Sequence, residues 1–392
     1  MSASRIWAAL VALTAFALVG CTSSTPGPSA PATSVPNTSL PASPSAPSTP
    51  AFSVEPRATF ETPWAMAFLP GTPWLAITER TGALHLLDPA SGRSRAVAGV
   101  PAVRAAGQGG LGDIVPGPTF AADSVVYLSW VEGDGASSGA VVGSARLVVE
   151  GDAAHLEGMR VLWRQPPTTG TGHFSQRLAF SPDGAHLFVS SGDRQKMTPA
   201  QDLTSGLGAI LRLLPDGTPA PGNPFADRGG RAAQVWSYGH RNPLGLAFDA
   251  QGRLWSSEMG PQGGDELNLI AAGTNYGWPE ASNGSHYGGG EIPDHTPGDG
   301  FTAPLAWWTP SESPSSLLIY SGEAFPAWNG DALIGALSGQ ALIHVDLEGD
   351  RVVGTRTIGM GQRIRDVAQG PDGSLWLLED APGGRLLALT PA

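Results

Sequence analysis

One short pattern recurs along the 392-residue chain. Each copy is an apolar run, a turn rich in proline, aspartate and glycine, and a second apolar run that ends in a polar residue. The clear copies are residues 64–80, 178–193, 246–258 and 367–380, and weaker copies are residues 114–130 and 317–337. An Asp-Gly or Gln-Gly pair between apolar runs is typical of a β-hairpin, because glycine adopts positive φ at little cost. The chain is therefore expected to consist of repeated hairpin units.

The number of these units predicts the architecture. About six units over roughly 340 residues, without sustained helical periodicity, are typical of an all-β, six-bladed β-propeller with four-stranded blades around a channel. A β-sandwich with incidental Asp-Gly turns is the alternative. In a propeller the inner strand of each blade faces the axis, so polar residues beside the strand ends are candidates for a functional site.

Composition supports a folded β protein and limits the classes of partner that it can bind. The chain has 53 Gly and 36 Pro, as many turns require, while 12 Trp and 12 Phe argue against disorder of the whole chain. With a net charge of −12, no nucleic-acid partner is expected, because phosphate contacts need a cationic surface. Cys21 is the only cysteine and Lys196 the only lysine. Disulfides are therefore excluded within the chain, and almost every cationic contact must come from arginine.

The N-terminal sequence predicts an export signal. Arg5 precedes an apolar run, residues 6–19, and the sequence Leu-Val-Gly-Cys ends at Cys21. A basic start, a short apolar stretch and small residues before the cleavage point are typical of such a signal. The Leu-Val-Gly-Cys run resembles a bacterial lipobox, in which the cysteine is lipidated and becomes the new N-terminus. An ordinary secretory signal with a chance cysteine is the alternative.

Three segments are expected from these features. They are a lipoprotein signal peptide at residues 1–20, the lipidated cysteine and a disordered linker at 21–50, and the propeller at 51–392. The linker contains mostly Ser, Thr, Pro and Ala and has no charged residue, so it cannot bury enough apolar surface to fold. The lipid would hold the protein outside the cytoplasm, on the outer face of the cell membrane.

Two polar residues stand close before copies of the repeat. Gln108 lies in a glycine-rich run that lacks the lysine and following helix of a phosphate loop, but such a loop can bring an amide to a ligand. His173 lies in Gly-Thr-Gly-His-Phe-Ser-Gln-Arg. Histidine can accept a proton near neutral pH, as a base acting on an alcohol must. A structural histidine is the alternative.

The segment from Trp236 to Pro279 carries the most informative motifs. Arg241 and Asn242 offer a guanidinium fork for a carboxylate and an amide that both donates and accepts, although a turn with a surface arginine would look similar. Residues 258–268 place paired carboxylates in a Gly/Pro loop. Such a loop supplies side-chain and carbonyl oxygens, the ligands that calcium prefers, and its spacing is not that of an EF-hand. A calcium site is therefore expected here.

Near the C-terminus, Arg363 and Arg365 alternate with Ile364 on a predicted strand, so a period of two places both guanidinium groups on one face. Neighbouring cations in an acidic protein favour a polyanionic partner, and a solvated surface strand is the alternative. A histidine base, a calcium loop and three arginines together predict either a calcium-dependent hydrolase or a redox enzyme with an anionic cofactor.

Longer motifs then resemble, in order, those of the soluble aldose dehydrogenase (glucose/sorbosone dehydrogenase) family. They are His-Arg-Asn-Pro at 240–243, Gly-Pro-Gln-Gly-Gly-Asp-Glu-Leu-Asn at 260–268, Asn-Tyr-Gly-Trp-Pro at 275–279, Phe-Pro-Ala-Trp at 325–328, Gly-Ala-Leu at 335–337 and Gly-Gln-Arg-Ile-Arg-Asp-Val at 361–367. The resemblance covers about residues 60–391. It implies a six-bladed propeller that uses pyrroloquinoline quinone (PQQ) and Ca²⁺. Such an enzyme oxidises the anomeric hydroxyl of an aldose to a lactone and passes electrons to a quinone, cytochrome or dye.

The resemblance also implies roles for single residues. His173 would be the general base, and Arg241 would be catalytic as well as cofactor-binding. The carbonyls of Gly260 and Pro261 would bind the calcium that polarises the quinone, and Glu266 and Tyr276 would bind a second, structural calcium. The implied cofactor-binding residues are Gln108, Arg241, Asn242, Tyr287, Ala336, Leu337, Ser338, Arg363, Ile364 and Arg365. Arginine forks suit PQQ because it is a planar tricarboxylate.

One position departs from this family. The family commonly has a lysine after the Gly-Ala-Leu run, where it meets the cofactor, and this chain has Ser338. Loss of a buried cation is expected to weaken cofactor binding by roughly a few kcal/mol unless other groups compensate.

Three functions remain open at the level of sequence. The first is a lipid-anchored, PQQ- and calcium-dependent aldose dehydrogenase, which the paired arginines favour. The others are a lactonase-type, calcium-dependent hydrolase and a non-catalytic propeller that binds a sugar or a protein. Substrate choice is expected to depend on long polar loops such as residues 280–304.

Overall fold

The computed structural model describes residues 52–134 and 136–392. The expected signal peptide, Cys21 and the linker lie outside the described residues, as does residue 51. The strands are, in chain order, β1 (Phe52–Phe60), β2 (Pro63–Phe68), β3 (Leu75–Glu79), β4 (Leu84–Leu87), β5 (Ser94–Ala96), β6 (Leu111–Pro116), β7 (Val125–Gly133), β8 (Ser138–Glu150), β9 (Ala153–Arg164), β10 (Ser175–Phe180), β11 (Leu187–Ser191), β12 (Ala209–Leu213), β13 (Val235–Tyr238), β14 (Pro243–Phe248), β15 (Leu254–Glu258), β16 (Gln262–Gly263), β17 (Asp265–Ile270), β18 (Gly284–Ser285), β19 (Ala306–Trp308), β20 (Pro314–Ile319), β21 (Ala332–Ala336), β22 (Ala341–Glu348), β23 (Arg351–Gly359), β24 (Ile364–Gln369), β25 (Leu375–Glu379) and β26 (Gly384–Pro391).

Helices are short in this part of the chain. They are α1 (Phe120–Asp123) and the 3-10 turns Thr198–Gln201, Ala226–Arg228, Ala232–Gln234 and Pro326–Trp328. No helix among the described residues has the length and hydropathy needed to cross a bilayer.

Six antiparallel, four-stranded sheets form the blades. In order they are β2-β3-β4-β5, β6-β7-β8-β9, β10-β11-β12-β13, β14-β15-β17-β19, β20-β21-β22-β23 and β24-β25-β26-β1. The innermost strands of consecutive blades pack against each other in a ring, and β24 of the sixth blade packs against β2 of the first. The prediction of a six-bladed propeller is confirmed, and the sandwich alternative is wrong.

The repeat in the sequence corresponds to the inner half of each blade. Each copy forms the innermost strand, the hairpin turn and the second strand. Second strands such as β3, β15 and β25 are buried along their whole length, because both faces pack against neighbouring blades. Apolar clusters fill all six blade interfaces. The sixth blade is completed by β1, which pairs with β26 and so joins the two ends of the described chain.

A register shift occurs near the start of every inner strand. The shifts lie between Pro63/Ala65, Leu111/Ile114, Ser175/Leu178, Pro243/Gly245, Pro314/Ser316 and Ile364/Asp366. A bulge breaks the alternation of side chains and re-aims them. Because all six bulges lie at the same end of the ring, they direct side chains toward one mouth of the central channel.

Arg177 crosses the channel below this mouth. Its hydrogen-bond acceptors are the Leu244 carbonyl at 2.7 Å from Nε, Asp113 at 3.3 Å from Nη1, and Ser315 O at 2.9 Å and Asp366 at 3.0 Å from Nη2. The guanidinium also lies 4.3 Å from the ring of Trp64. Arg177 belongs to the inner strand of the third blade, and its partners belong to the inner strands of the other five blades. One buried side chain therefore ties the ring together across its axis.

Candidate functional site

A cavity of about 300 Å³ lies at the mouth where the bulges converge. Its lining residues are Trp64, Arg80, Gln108, Phe174, Ser175, Gln176, Asn242, Leu244, Met259, Ser313, Leu337, Arg363, Arg365 and Asp380. They come from or close before the starts of the inner strands in all six blades, and in the first, fourth, fifth and sixth blades also from residues just after the second strand. Of the polar ends of the sequence repeat, Arg80 and Asp380 line this cavity.

His173 lies beside this cavity as half of a buried pair. Its Nδ1 is 2.7 Å from Asp193 Oδ1, and its backbone N–H donates to Gln108 Oε1 at 2.7 Å. Burial lowers the pKa of His173, with the hydrogen bond to Asp193 acting in the opposite direction. The imidazole is therefore neutral near pH 7. Since an ionised carboxylate only accepts hydrogen bonds, Nδ1 carries the proton and Nε2 has a free lone pair.

Asp193 holds the imidazole from a fully buried position. It also accepts hydrogen bonds from Trp278 Nε1 at 2.8 Å and from the backbone of Gln195 at 2.7 Å. Burial opposes ionisation, but these donors and His173 hold the pKa of Asp193 below its usual value. Asp193 was not predicted as a site residue. Its only signal in the sequence was its place as the polar end of a repeat copy.

The backbone around His173 is strained. His173, Ser175 and Gln176 have φ values of 49°, 62° and 73°. Such conformations cost about 1–3 kcal/mol each in residues with a side chain, and they persist where the surrounding structure fixes them, as at many functional sites.

Asn242 and Gln176 present buried polar atoms without a protein partner. Asn242 Oδ1 accepts a hydrogen bond from Ser175 Oγ at 3.1 Å. Its Nδ2 and the Oε1 of Gln176 are buried and make no hydrogen bond within the described structure. Both residues line the cavity. Because buried polar atoms normally have partners, this donor and this acceptor fit a polar ligand in the cavity.

Arg241 lies over the loop that follows β15. Its Nη1 donates to the carbonyls of Met259 and Gly260 at 2.8 and 2.7 Å, while Nε is buried without a partner in the described residues. Nη2 is 3.3 Å from the hydroxyl of Tyr287, which is 70% exposed. The structure thus brings Arg241 and Tyr287 together at the rim, with the fork of Arg241 directed at loop carbonyls.

Arg363 and Arg365 converge on one carboxylate. Both donate to Asp380 at 2.7–2.9 Å, and all three line the cavity. Burial opposes ionisation of Asp380, but Arg365 and Arg363 hold its pKa below the usual value. As expected, both guanidinium groups lie on the same side of the chain, although Arg363 precedes β24 and Arg365 occupies its bulge. The trio keeps a net positive charge on this wall.

Arg80 adds a cation that the sequence reasoning missed. It ends the first repeat copy, lines the cavity and donates to the Gly107 carbonyl at 2.8 Å. Its position at a strand end was the available signal.

The remaining residues implied for the cofactor are divided between cavity and core. Leu337 lines the cavity, but the side chains of Ala336 and Ile364 pack in hydrophobic clusters, so only their backbone can meet a ligand. Ser338 is exposed, and its hydroxyl lies 2.8 Å from Ser313 Oγ and 3.0 Å from the Ser311 carbonyl.

The residues implied for metal binding border one narrow cleft. Gly260, Pro261, Glu266 and Tyr276 meet there with Glu258. Burial and the charge of Glu258 raise the pKa of Glu266 to about 8. Two buried carboxylates beside loop carbonyls suit a calcium ion, which would offset their repulsion. The Tyr276 hydroxyl is occupied by the backbone of residues 269 and 271, so its carbonyl is the atom that remains for a metal.

Asp265 connects this loop to the cavity wall. Its Oδ1 accepts from the Gly260 N–H at 2.8 Å, and its Oδ2 accepts from the backbone of Glu312 and Ser313 at 2.6 and 2.7 Å. Its carboxylate belongs to the pair expected in the calcium loop, but its hydrogen bonds were not predicted, because only the folded strand places residues 260 and 313 around it.

A second group of potential ligands lies elsewhere. Asp331, His344 and Asp346 cluster at the opposite end of the fifth blade, with His344 Nε2 at 2.8 Å from Asp331 and 3.3 Å from Asp346. An imidazole N–H donating to Asp331 accounts for this arrangement. The cluster contributes no residue to the cavity and is not the loop in which calcium was predicted.

Comparison with known proteins shows the family of this chain. The family model for glucose/sorbosone dehydrogenase matches residues 60–388. The aldose sugar dehydrogenase YliI of Escherichia coli is 40% identical over 337 residues, which cover 84% of this chain and 90% of that protein.

Solved structures show the same likeness. The soluble aldose sugar dehydrogenase of Escherichia coli in its apo-form has 39% identity and a TM-score of 0.82, over 87% of this chain and 100% of that chain. The PQQ-bound aldose sugar dehydrogenase of Streptomyces coelicolor has 31% identity and a TM-score of 0.72, over 87% of this chain and 99% of that chain. This chain belongs to the glucose/sorbosone dehydrogenase family.

Proposed function

We propose that the protein oxidises the anomeric hydroxyl of aldose sugars to lactones, using PQQ and calcium, and passes the electrons to a quinone, cytochrome or dye. The observation that carries this proposal is the meeting, in and around one cavity, of a neutral histidine, unpartnered buried polar atoms and an arginine-rich wall. A hydrolase mechanism could use the histidine, but it does not explain the arginine-rich wall.

The cavity residues fit a planar, polyanionic cofactor. Arg241, Arg363 and Arg365 would bind its carboxylates, since guanidinium forks match carboxylate geometry. The unpaired donor Asn242 Nδ2 would donate a hydrogen bond to an oxygen of the same molecule. The other residues proposed to hold it are Gln108, Tyr287, Leu337, Ser338 and the backbone of Ala336 and Ile364. When bound, PQQ supplies a quinone carbonyl that accepts a hydride, and calcium increases the electrophilicity of that carbonyl.

His173 would take the proton of the anomeric hydroxyl at Nε2. The pair with Asp193 fixes the ring and its tautomer, and the carboxylate would then stabilise the imidazolium that forms. Arg241 places a permanent positive charge beside the loop of Gly260, where it would favour negative charge that develops during the reaction.

Calcium would bind to the loop after β15. The carbonyls of Gly260 and Pro261 would hold the ion that serves the reaction. The Gly260 carbonyl already accepts a hydrogen bond from Arg241, and its second lone pair remains for the metal. Glu266 and the Tyr276 carbonyl would hold a second, structural ion, supported by the two carboxylates buried in the cleft.

We further propose that the protein acts outside the cytoplasm as a lipoprotein of the cell membrane. This rests on the export signal and the lipobox-like Leu-Val-Gly-Cys sequence ending at Cys21. A membrane anchor would bring the enzyme close to a quinone or cytochrome that accepts its electrons.

Two substitutions test the function. With PQQ and calcium supplied, His173→Ala is expected to lower aldose-dependent dye reduction by about 10²–10⁴-fold, while PQQ still binds. Arg241→Ala is expected to abolish turnover and also to raise the PQQ concentration needed for half-saturation. His186→Ala, on the hairpin turn at the far end of the same blade, is the matched control. Normal turnover in His173→Ala would remove the histidine from this role, and lactone cleavage without PQQ would favour a hydrolase.

A further inference from the structure

We propose that Arg194 is a positioning residue that fixes the loop carrying His173; the inference rests on the proposed role of His173 as the base. Arg194 follows Asp193 in the chain and is completely buried. It does not line the cavity, and neither the repeat nor the family motifs point to it.

The guanidinium of Arg194 binds the chain just before His173. Nε donates to the Gly172 carbonyl at 2.9 Å, and Nη2 donates to the Gly170 carbonyl at 2.8 Å. Nη1 donates to the carbonyl of Ser138, whose hydroxyl lies 3.3 Å from Nη2. The loop at residues 170–172 is thereby attached to the first residue of β8, in the neighbouring blade.

Arg194 also holds the chain at and after His173. Its guanidinium carbon lies 3.7 Å from the centroid of the Phe174 ring, and its backbone N–H donates to the His173 carbonyl at 3.3 Å. Asp193 meanwhile binds the imidazole at 2.7 Å. Two consecutive residues thus divide the task, with Asp193 orienting the ring and Arg194 orienting the backbone from which the ring projects.

The chemistry of the contact explains why an arginine is present. All of the side-chain hydrogen bonds found for Arg194 go to neutral oxygens. Burial lowers the pKa of Arg194, and only the charge of the adjacent Asp193 acts in the opposite direction. An apolar side chain would fill the space without the cost of burying a charge. Only a guanidinium delivers donors to three carbonyls at fixed angles. That geometry matches a loop whose His173 has positive φ and needs its surroundings to hold it.

Two variants separate charge from geometry. Arg194→Lys keeps the charge and loses the fork, and Arg194→Met keeps only the apolar stem. In the protein without PQQ, both are expected to accelerate hydrogen exchange of the amides at residues 171–176 by about tenfold or more. With PQQ and calcium supplied, kcat is expected to fall about 10–100-fold, as when a catalytic group is misplaced. The KM for aldose and the PQQ requirement are expected to change by less than about threefold.

Arg212→Met is the matched control. Arg212 belongs to the same blade, donates to neutral oxygens of Asn223 and Pro221, and lies 4.3 Å from the Trp236 ring. None of these partners belongs to the loop of His173. This variant is therefore expected to lose thermal stability but to keep the wild-type exchange rates at residues 171–176 and the wild-type kcat.

The experiments distinguish a failure of this inference from a failure of the proposed function. The His173 imidazole resonance, assigned by its loss in His173→Asn, and the loop exchange are both read without PQQ. A changed resonance and faster exchange in the Arg194 variants support positioning, even if His173→Asn keeps full turnover and the base assignment fails. Lowered melting temperature with wild-type exchange, resonance and kcat would overturn the inference. If neither variant folds, hydrogen exchange of the Arg194 side-chain Nε–H in the wild-type protein gives the test. Exchange as slow as that of the amides at residues 171–176 supports positioning, and exchange as fast as that of the exposed Arg351 overturns it.

Discussion

His173 is suited to act as a base at neutral pH because two influences on its imidazole oppose each other. Burial lowers its pKa, whereas the hydrogen bond and charge of Asp193 raise it. The net effect keeps the ring neutral, and the carboxylate directs the proton to Nδ1. The tautomer of the base is thus fixed by a pair of side chains 20 residues apart in sequence.

Asp193→Asn is therefore expected to change both the position and the height of the pH profile. Without the carboxylate the pKa of His173 falls further. Because activity is lost as the base becomes protonated, the acid limb of kcat/KM should move to lower pH. The plateau should fall by about 10² or more, since an amide can also donate and so select the wrong tautomer. Asp183→Asn, in an exposed turn, is the control. An acid limb and plateau unchanged from wild type would contradict the assignment.

Ser338 supplies a second prediction for a single residue. Its hydroxyl binds Ser313 and Ser311 and brings no charge, at the position where the family resemblance led us to expect a lysine. Ser338→Lys is expected to lower the Kd for PQQ about tenfold or more, as a charged hydrogen bond would, when measured by calorimetry with calcium present. Ser338→Ala should not tighten binding.

Glu312 is a competing partner for that lysine. Its carboxylate lies against Gly339, so the pair Ser338→Lys with Glu312→Gln should bind PQQ most tightly. No gain in affinity in either background would show that this position lies outside the cofactor site.

At the scale of elements, the inner strands combine two tasks. Their bulged starts direct polar residues into the cavity, and the same bulged segments hold the Arg177 contacts that join the blades. Burial raises the pKa of Asp113, and it raises the pKa of Asp366 to about 6, although Arg177 acts in the opposite direction on both. One guanidinium thus serves two carboxylates that are both buried in the channel.

The raised pKa of Asp366 predicts a pH dependence of folding. Its folded pKa of about 6 exceeds the reference value of 3.8. The protonated form therefore favours the folded state, and this contribution is lost as the pH rises from about 4 to about 6. The free energy of unfolding of wild type minus that of Asp366→Asn should decrease over this range in urea titrations. A difference that increases with pH would mean that Arg177 depresses this pKa and would contradict the account.

The whole molecule shows what sequence could and could not predict. Six hairpin signals sufficed for the propeller, because turn chemistry and apolar runs are local. They also indicated the mouth of the channel, since Arg80 and Asp380, two of the polar strand ends of the repeat, line the cavity there. The closing strand β1 was not predicted, because it carries no copy of the pattern and is specified by its pairing with β26.

The hydrogen-bond partners within the site could not be predicted from the sequence either. Asp193 and Asp380 stood in the sequence as polar ends of repeat copies, but their partners were not evident. Trp278 meets Asp193 from the next blade, 85 residues away, and the Asp380 clamp depends on the bulge at Arg365. Such contacts follow from the register between strands and the closure of the ring, which local patterns do not encode.

The most direct test of the central claim is a reconstitution titration. The domain from residue 51 onward, stripped with a chelator, would receive PQQ with and without calcium while dye reduction is followed with several aldoses. The account predicts activity that requires both additions, a lactone product, and saturable PQQ binding despite Ser338. No dye reduction with any aldose, together with no PQQ binding by calorimetry at high micromolar concentration, would contradict it and leave the propeller without its proposed redox function.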